Sequence, residues 1–407
     1  MPQIATPTLI NDITNLGALG LFKLASKLYR STYITGFNET MVSIGEYRKY
    51  SIDTGMVALD PLQREHYRAD LAIDLSREHL FLARTPFSPT SSFDITVPIL
   101  AVIFAEGGRV DISCPDTLTD QASELLGQIL RISTATTNSD TPNNWKLVEL
   151  EGSHEFQMRV ENAIEAISNT DLEKVVLSKA LHISSANRPN QEAIFDRLVR
   201  DRPYSYLFSI ENYLGASPEL VVNLKGSSVT SHPLAGTAKS YNESTLLLSD
   251  KDNREHQIVV GQIMERLEAL GISAQHQSKP TISKYGEIVH LGSRISGSLA
   301  TGSPATSIEI AAHLAPTAAI NGEPYETAIK YIYSNEPADR GFYGGLVGYQ
   351  KKEGDGTWIL NIRSIDLNDE GVMLRAGVGI VEKSDPVAED LEATSKINAI
   401  ASSILKC

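Results

Sequence analysis

The 407-residue chain contains only two cysteines, Cys114 and Cys407, and their separation fits neither a zinc site nor a disulfide framework. Cys407 ends the sequence outside any prenylation context. No apolar run approaches the roughly 18 residues needed to span a bilayer. The mildly apolar stretch from Leu16 to Tyr29 carries Lys23 and Lys27 and lacks a signal-peptide layout. No membrane partner is therefore expected, and a reducing cytoplasm is the expected compartment. Positive charge is also scarce: 36 Lys and Arg against 50 Asp and Glu leave a formal net charge of −14. This argues against nucleic acid as a partner, because backbone binding needs clustered cations. A small anionic ligand stays compatible if a few local cations or a metal offset the field. Internal repeats and low-complexity tracts are missing, as are Walker, His-Glu-x-x-His and Gly-x-Ser-x-Gly motifs. The Gly377-Val-Gly379 pair is followed by Glu382-Lys-Ser-Asp-Pro386 and no third glycine, which excludes a dinucleotide fingerprint.

What is present describes a well-cored globular protein: 42% hydrophobic and 21% charged residues. The length suits two domains or one large layered one. The polar, turn-rich segment Thr134 to Asn144 reads as a loop or linker. It separates residues 1–145, where no chemical motif appears, from residues 146–407. Helical spacing marks Ser153 to Ser168, Asp252 to Leu270, Ser307 to Leu314, Tyr325 to Tyr333 and the tail from Pro386. Strand patterns mark Lys174 to Ile183, Tyr204 to Ile210, Leu214 to Leu224 and Ser228 to Leu234. A hairpin-rich tail follows at Gly341 to Gln350, Trp358 to Asp366 and Val372 to Val381, with a turn at Glu353-Gly-Asp-Gly356. Hairpins outnumber βαβ units, so the pattern predicts an α/β protein of the α+β type, with mainly antiparallel sheets and helices packed outside.

Two predicted helices each carry carboxylates three residues apart, Asp252/Glu255 and Glu389/Glu392, and such residues share one helical face. Either pair alone suits a solvated surface. Brought together, the two faces make an oxygen-rich cage that favours Mg²⁺ over a transition metal. Lys174 heads a β-branched run; a lysine there is ordinarily a strand-end charge, but in a desolvated pocket it can act as a general base. Glu219 follows a turn and precedes apolar residues, and a carboxyl at the end of a buried strand can be a general acid. The small-residue segments Pro233-Leu-Ala-Gly-Thr237 and Ala376-Gly-Val-Gly-Ile380 read as loops whose glycines admit an anion to backbone N–H groups. His290 is either structural or a ligand for a ring or carboxylate. Arg363, in an otherwise apolar strand pattern, calls for a buried anionic partner.

Taken together, these strings resemble the chorismate-utilising enzymes, the family of isochorismate, salicylate, anthranilate and aminodeoxychorismate synthases. The match runs in order from about Asn162 to Ile404: Lys-Val-Val-Leu-Ser at 174, Gly-Ala-Ser-Pro-Glu at 215, Pro-Leu-Ala-Gly-Thr at 233, Arg-Glu-His at 254, His-Leu at 290. It closes with Arg-Gly-Phe-Tyr-Gly-Gly at 340, Ile-Arg at 362, Ala-Gly-Val-Gly-Ile at 376 and Glu-x-x-Glu-Ala-Thr at 389. The resemblance implies a single large domain over residues 1–407, with two layered antiparallel sheets and a variable N-terminal part. It implies Mg²⁺ at Glu255 and Glu392, holding the ring carboxylate of chorismate, with Asp252 and Glu389 in support. Arg363 and Tyr343 would hold the enolpyruvyl carboxylate, while Gly236, Thr237, His290, Gly377 and Lys396 would line the pocket. Two strings depart from the family pattern: Leu314-Ala-Pro-Thr-Ala-Ala-Ile-Asn-Gly322 and Asp339 before Arg340.

Among the family's reactions, those using ammonia generally carry a glutamine where this chain has Lys174, so the resemblance implies that water attacks. Aminodeoxychorismate synthases carry a lysine where Ala235 stands. No glutamine amidotransferase partner is expected, and a monomer is. Leu346-Val-Gly-Tyr349, the hairpin before Trp358, Ile362 and Ala319-Ile320 look like isochorismate synthases; Tyr343 and Leu291-Gly-Ser-Arg294 look like salicylate synthases. Isochorismate synthase is the expected activity, with salicylate synthase as the alternative. A non-catalytic chorismate-binding paralogue is disfavoured by the intact Lys174, Glu219, Glu255 and Glu392.

Overall fold

The computed structural model describes residues 7–52, 75, 78–87, 93–132, 145–286 and 288–405. The expected linker Thr134 to Asn144 lies outside them. Described strands form an eleven-stranded, a nine-stranded and a three-stranded sheet, and every pairing among them is antiparallel. The two expected sheets are there, and a small third one is added.

Side-chain alternation explains the layering. In the strands Ser31–Thr35, Glu39–Ile44 and Leu100–Ala105, Ile34, Met41, Ala101 and Ile103 turn one way. They pack with Leu80, Leu82, Val347, Tyr349 and Ile359 of the nine-stranded sheet, making a dry seam between the layers. Tyr33, Val42, Leu100 and Val102 turn the other way, onto the helices Pro7–Ser26, Thr119–Leu130, Gln191–Asp201 and Pro386–Ile404. No helix among the described residues is long and apolar enough to cross a membrane.

Several expected elements hold closely: the strand Lys174–Ser184 and the helices Ser153–Asn169, Ser307–Leu314 and Tyr325–Asn335. The helix expected from Asp252 starts at Asp250, because the Ser249 side chain caps it by accepting from the Asp252 N–H at 3.2 Å. Other runs are cut. The run from Leu214 to Leu224 breaks at Pro218-Glu219 into Tyr213–Ser217 of the eleven-stranded sheet and Leu220–Lys225 of the nine-stranded one. Proline removes a ladder donor and lets the chain change sheets there. The same happens at Pro233, after which Leu234–Lys239 joins the small sheet. The two segments read as small-residue loops are therefore strand: Pro233-Leu-Ala-Gly-Thr237 falls mostly in Leu234–Lys239 and Ala376–Ile380 ends Gly371–Ile380. The latter is paired with Lys174–Ser184 along one edge only; on the other edge the Gly377 N–H meets the Tyr343 hydroxyl and the Gly377 carbonyl accepts from Lys396 Nζ at 3.0 Å.

Candidate active site

One cavity gathers most of the expected side chains. Its wall includes Glu219, Gly236, Thr237, Glu255, His290, Tyr343, Arg363, Gly377 and Lys396. Lys174 lies directly behind that wall, with no exposed surface, its Nζ 3.1 Å from Glu255 Oε1. That contact lacks hydrogen-bond geometry, so the Lys174 amino group has no directed partner.

Each group is placed by a local feature of the chain. Lys174 opens the long strand whose neighbour, Gly371–Ile380, brings Gly379 alongside. A Cβ at Gly379 would stand 2.2 Å from Glu255 Oε1 and 3.0 Å from Lys174 Cε, so only glycine leaves room for the pair. Gly377 does the same for the Tyr343 hydroxyl, which would lie 3.1 Å from an added Cβ. Glu219 stands in the two-residue crossover between sheets, its carbonyl accepting from the Leu360 N–H at 3.1 Å. Burial pushes its carboxyl up to about 8, against the opposing pull of Lys174 and a backbone hydrogen bond from Leu234. At neutral pH Glu219 is a buried acid that keeps its proton.

The far wall is basic. Arg363 is not within a strand but between Gly356–Leu360 and Ser364–Asn368, with φ 54°, a left-handed conformation that a non-glycine residue adopts at a cost. Its Nη2 donates to His290 Nε2 at 3.3 Å, and no carboxylate among the described residues lies within ion-pair distance of it. The expected anionic partner is thus not supplied by the described protein. Burial holds His290 well below the usual imidazole range, helped by Arg363. The neutral ring fits the geometry, with Nδ1 3.2 Å from the Gly236 carbonyl. Burial lowers Arg363 to about 10 and raises the Tyr343 phenol to about 12.

Of the four carboxylates proposed from sequence, Asp252 and Glu389 lie in the first turns of Asp250–Ala269 and Pro386–Ile404, where helix dipoles favour negative charge, and Glu255 and Glu392 follow about one turn further on. Asp252 packs under Gly236, whose Cβ would lie 2.9 Å from Asp252 Cβ. Glu389 pairs with Lys251, and Glu392 with Lys396 at 2.6 Å. Among the described residues no three such groups converge as a ready metal cluster. The donor set nevertheless suits a hard divalent cation: it is all oxygen, and burial plus the neighbouring Glu392 push Glu389 up to about 7. Crowded carboxylates of this kind are relieved by a cation.

Sequence reasoning missed Arg375, which also lines the cavity. The signal was available: it lies two residues before Gly377 in one strand, hence on the same face. Arg340, read only as part of a motif string, turns out to be a buried brace. It bonds Glu336, the Ile320 carbonyl at 2.8 Å and the Val176 carbonyl at 2.7 Å, fixing the wall segment that carries Ala319 and Ile320.

Comparison with known proteins matches residues 97–405 to the family described as chorismate binding enzyme. The chain belongs to that family. Isochorismate synthase DhbC of Bacillus subtilis is 33% identical over 265 residues, 60% of this chain and 66% of that protein. The matched segment thus spans just under two thirds of this relative's length. A solved Bacillus anthracis structure, assigned as a 2,3-dihydroxybenzoate-specific isochorismate synthase, superposes with TM-score 0.76 at 25% identity, covering 94% of this chain and 98% of that one. Anthranilate synthase component I of Streptococcus pneumoniae shares the fold, with TM-score 0.71 at 21% identity over 89% of this chain and 92% of that one.

Proposed function

We propose that this chain is an isochorismate synthase, adding water at ring carbon 2 of chorismate while the hydroxyl at carbon 4 leaves. The observation that carries this reading is the contrast between two buried groups at one cavity: a lysine without a directed partner and a carboxyl held protonated to about 8. Lys174, as the neutral amine, takes the proton from the attacking water, and Glu219 gives one to the departing hydroxyl. Lysine rather than glutamine at 174 supports water as the nucleophile, and the curated relatives named isochorismate synthase support the same reaction. Arg363 takes a substrate carboxylate beside Tyr343. Glu255 and Glu392, with Asp252 and Glu389 in support, would hold Mg²⁺. When bound, the ion neutralises the ring carboxylate within this acidic cluster. The chain acts in the cytoplasm as a monomer, without an amidotransferase partner.

Tyr343 favours a second reading, salicylate synthase, in which isochorismate goes on to lose pyruvate. Incubation with chorismate and Mg²⁺, followed by chromatography and a lactate dehydrogenase assay, separates the two. The expected result is a reversible mixture of chorismate and isochorismate near neutral pH, abolished by EDTA and restored by Mg²⁺. Stoichiometric salicylate and pyruvate would establish the second reading, and full turnover in metal-free protein would remove the metal assignment.

A further inference from the structure

Two guanidinium groups line the cavity, and only Arg363 has been given a role. Arg375 belongs to the strand Gly371–Ile380, on the face that carries Gly377 and Gly379. It donates from Nη2 to the Asp339 backbone carbonyl at 2.7 Å. The Asp339 carboxylate itself turns back to the Gly341 N–H at 2.6 Å. Among the described residues no carboxylate lies within ion-pair distance of Arg375. A guanidinium has five N–H donors, so one backbone contact leaves most of its capacity unused.

The charges around the cavity can be paired off. Glu219 keeps its proton, and His290 is neutral. Glu255 faces Lys174 and Glu392 faces Lys396. What remains without an ion-pair partner among the described residues is Arg363 and Arg375; Glu336, which is paired with Arg340, and Asp339 act on Arg375 only from beyond ion-pair distance. Holding a desolvated cation without a counter-charge is unfavourable, and doing so twice at one end of a cavity suits an incoming anion.

We propose that Arg375 is a second carboxylate-binding residue, forming with Arg363 a two-guanidinium clamp on the enolpyruvyl carboxylate at the Tyr343 end of the cavity. This rests on the chorismate reading above. A planar fork on each side of a carboxylate fixes its direction as well as its position, which a single lysine does not.

Chorismate binding by calorimetry and steady-state kinetics, on wild type, Arg375→Met and Arg375→Lys, tests it. Arg375→Met is expected to raise Kd and KM by about 10- to 100-fold, with kcat changed by no more than about threefold. Arg375→Lys should fall between Met and wild type. An unchanged Kd in an Arg375→Met protein of wild-type melting temperature would overturn the clamp. So would a fall in kcat with KM unaltered, which would make Arg375 only a brace for the segment around Asp339. If Arg375→Met does not fold, Arg375→Gln, which keeps an N–H for the Asp339 carbonyl, takes its place with the same expectations. Should wild type bind chorismate yet form no isochorismate, the reaction assignment fails while the Kd comparison still judges the clamp.

Discussion

Burial holds a proton on Glu219 up to about pH 8, well above an ordinary carboxyl. The acid is therefore competent below that pH and lost above it, so kcat should fall along an alkaline limb centred near 8. Glu219→Gln should cost about 10²- to 10⁴-fold in kcat and remove that limb from the residual rate. Lys174→Ala should cost a similar factor of roughly 10² to 10⁴ with little change in KM. Stopped-flow or discontinuous assays from pH 6 upward check both; a limb that persists unshifted in Glu219→Gln assigns it to another group. At this scale the sequence was informative for residues in unusual settings: Lys174 heading an apolar strand, Glu219 after a turn, Arg363 among apolar neighbours. Arg375 was overlooked because Ala376–Ile380 reads as a loop by composition, and its two-residue spacing from Gly377 marks a shared face only once that segment is strand.

Elements were legible where period and caps agreed, as in Ser307–Leu314 with its Thr306/Glu309 capping box. They were misread where glycine and alanine carry strand. Intrinsic preference speaks against strand at Gly377 and Gly379, but ten residues paired in register with Lys174–Ser184 override it. The glycines are there for what they omit. Gly379→Ala should therefore act sterically: its φ is ordinary for an L residue, yet the new methyl collides with Glu255 and crowds Lys174. A displacement of about 1 Å in such groups costs on the order of 10²-fold in rate, while overpacking costs about 1–3 kcal/mol of stability. Activity assays beside denaturant melts of Gly379→Ala would show rate falling much further than stability; equal losses would mean that the site had not moved independently of the fold.

Across the whole molecule, the N-terminal third gives no chemical motif, yet it completes both large sheets. Ser31–Thr35 pairs with Tyr206–Ile210, and Leu80–Arg84 pairs with Leu346–Lys351. Sequence patterns could not show this, because strand partners distant in the chain leave no local signature. A fragment of residues 146–407 would expose both of those strand edges and strip Ile34, Met41, Leu80, Leu82, Ala101 and Ile103 from the seam between the layers. It should be insoluble or lack a cooperative thermal transition; a fragment that melts cooperatively and binds chorismate would show that the N-terminal third is dispensable. The seam has one more effect. Glu219 stands where the backbone leaves one layer for the other, and Lys174 is laid into the first of those layers. The gap between the proposed proton donor and proton acceptor is thus tied to the spacing of the sandwich, a gauge set by two sheets rather than by a long loop. Substitutions along the walls can change which molecule is admitted and which product leaves, and the gauge stays as it was.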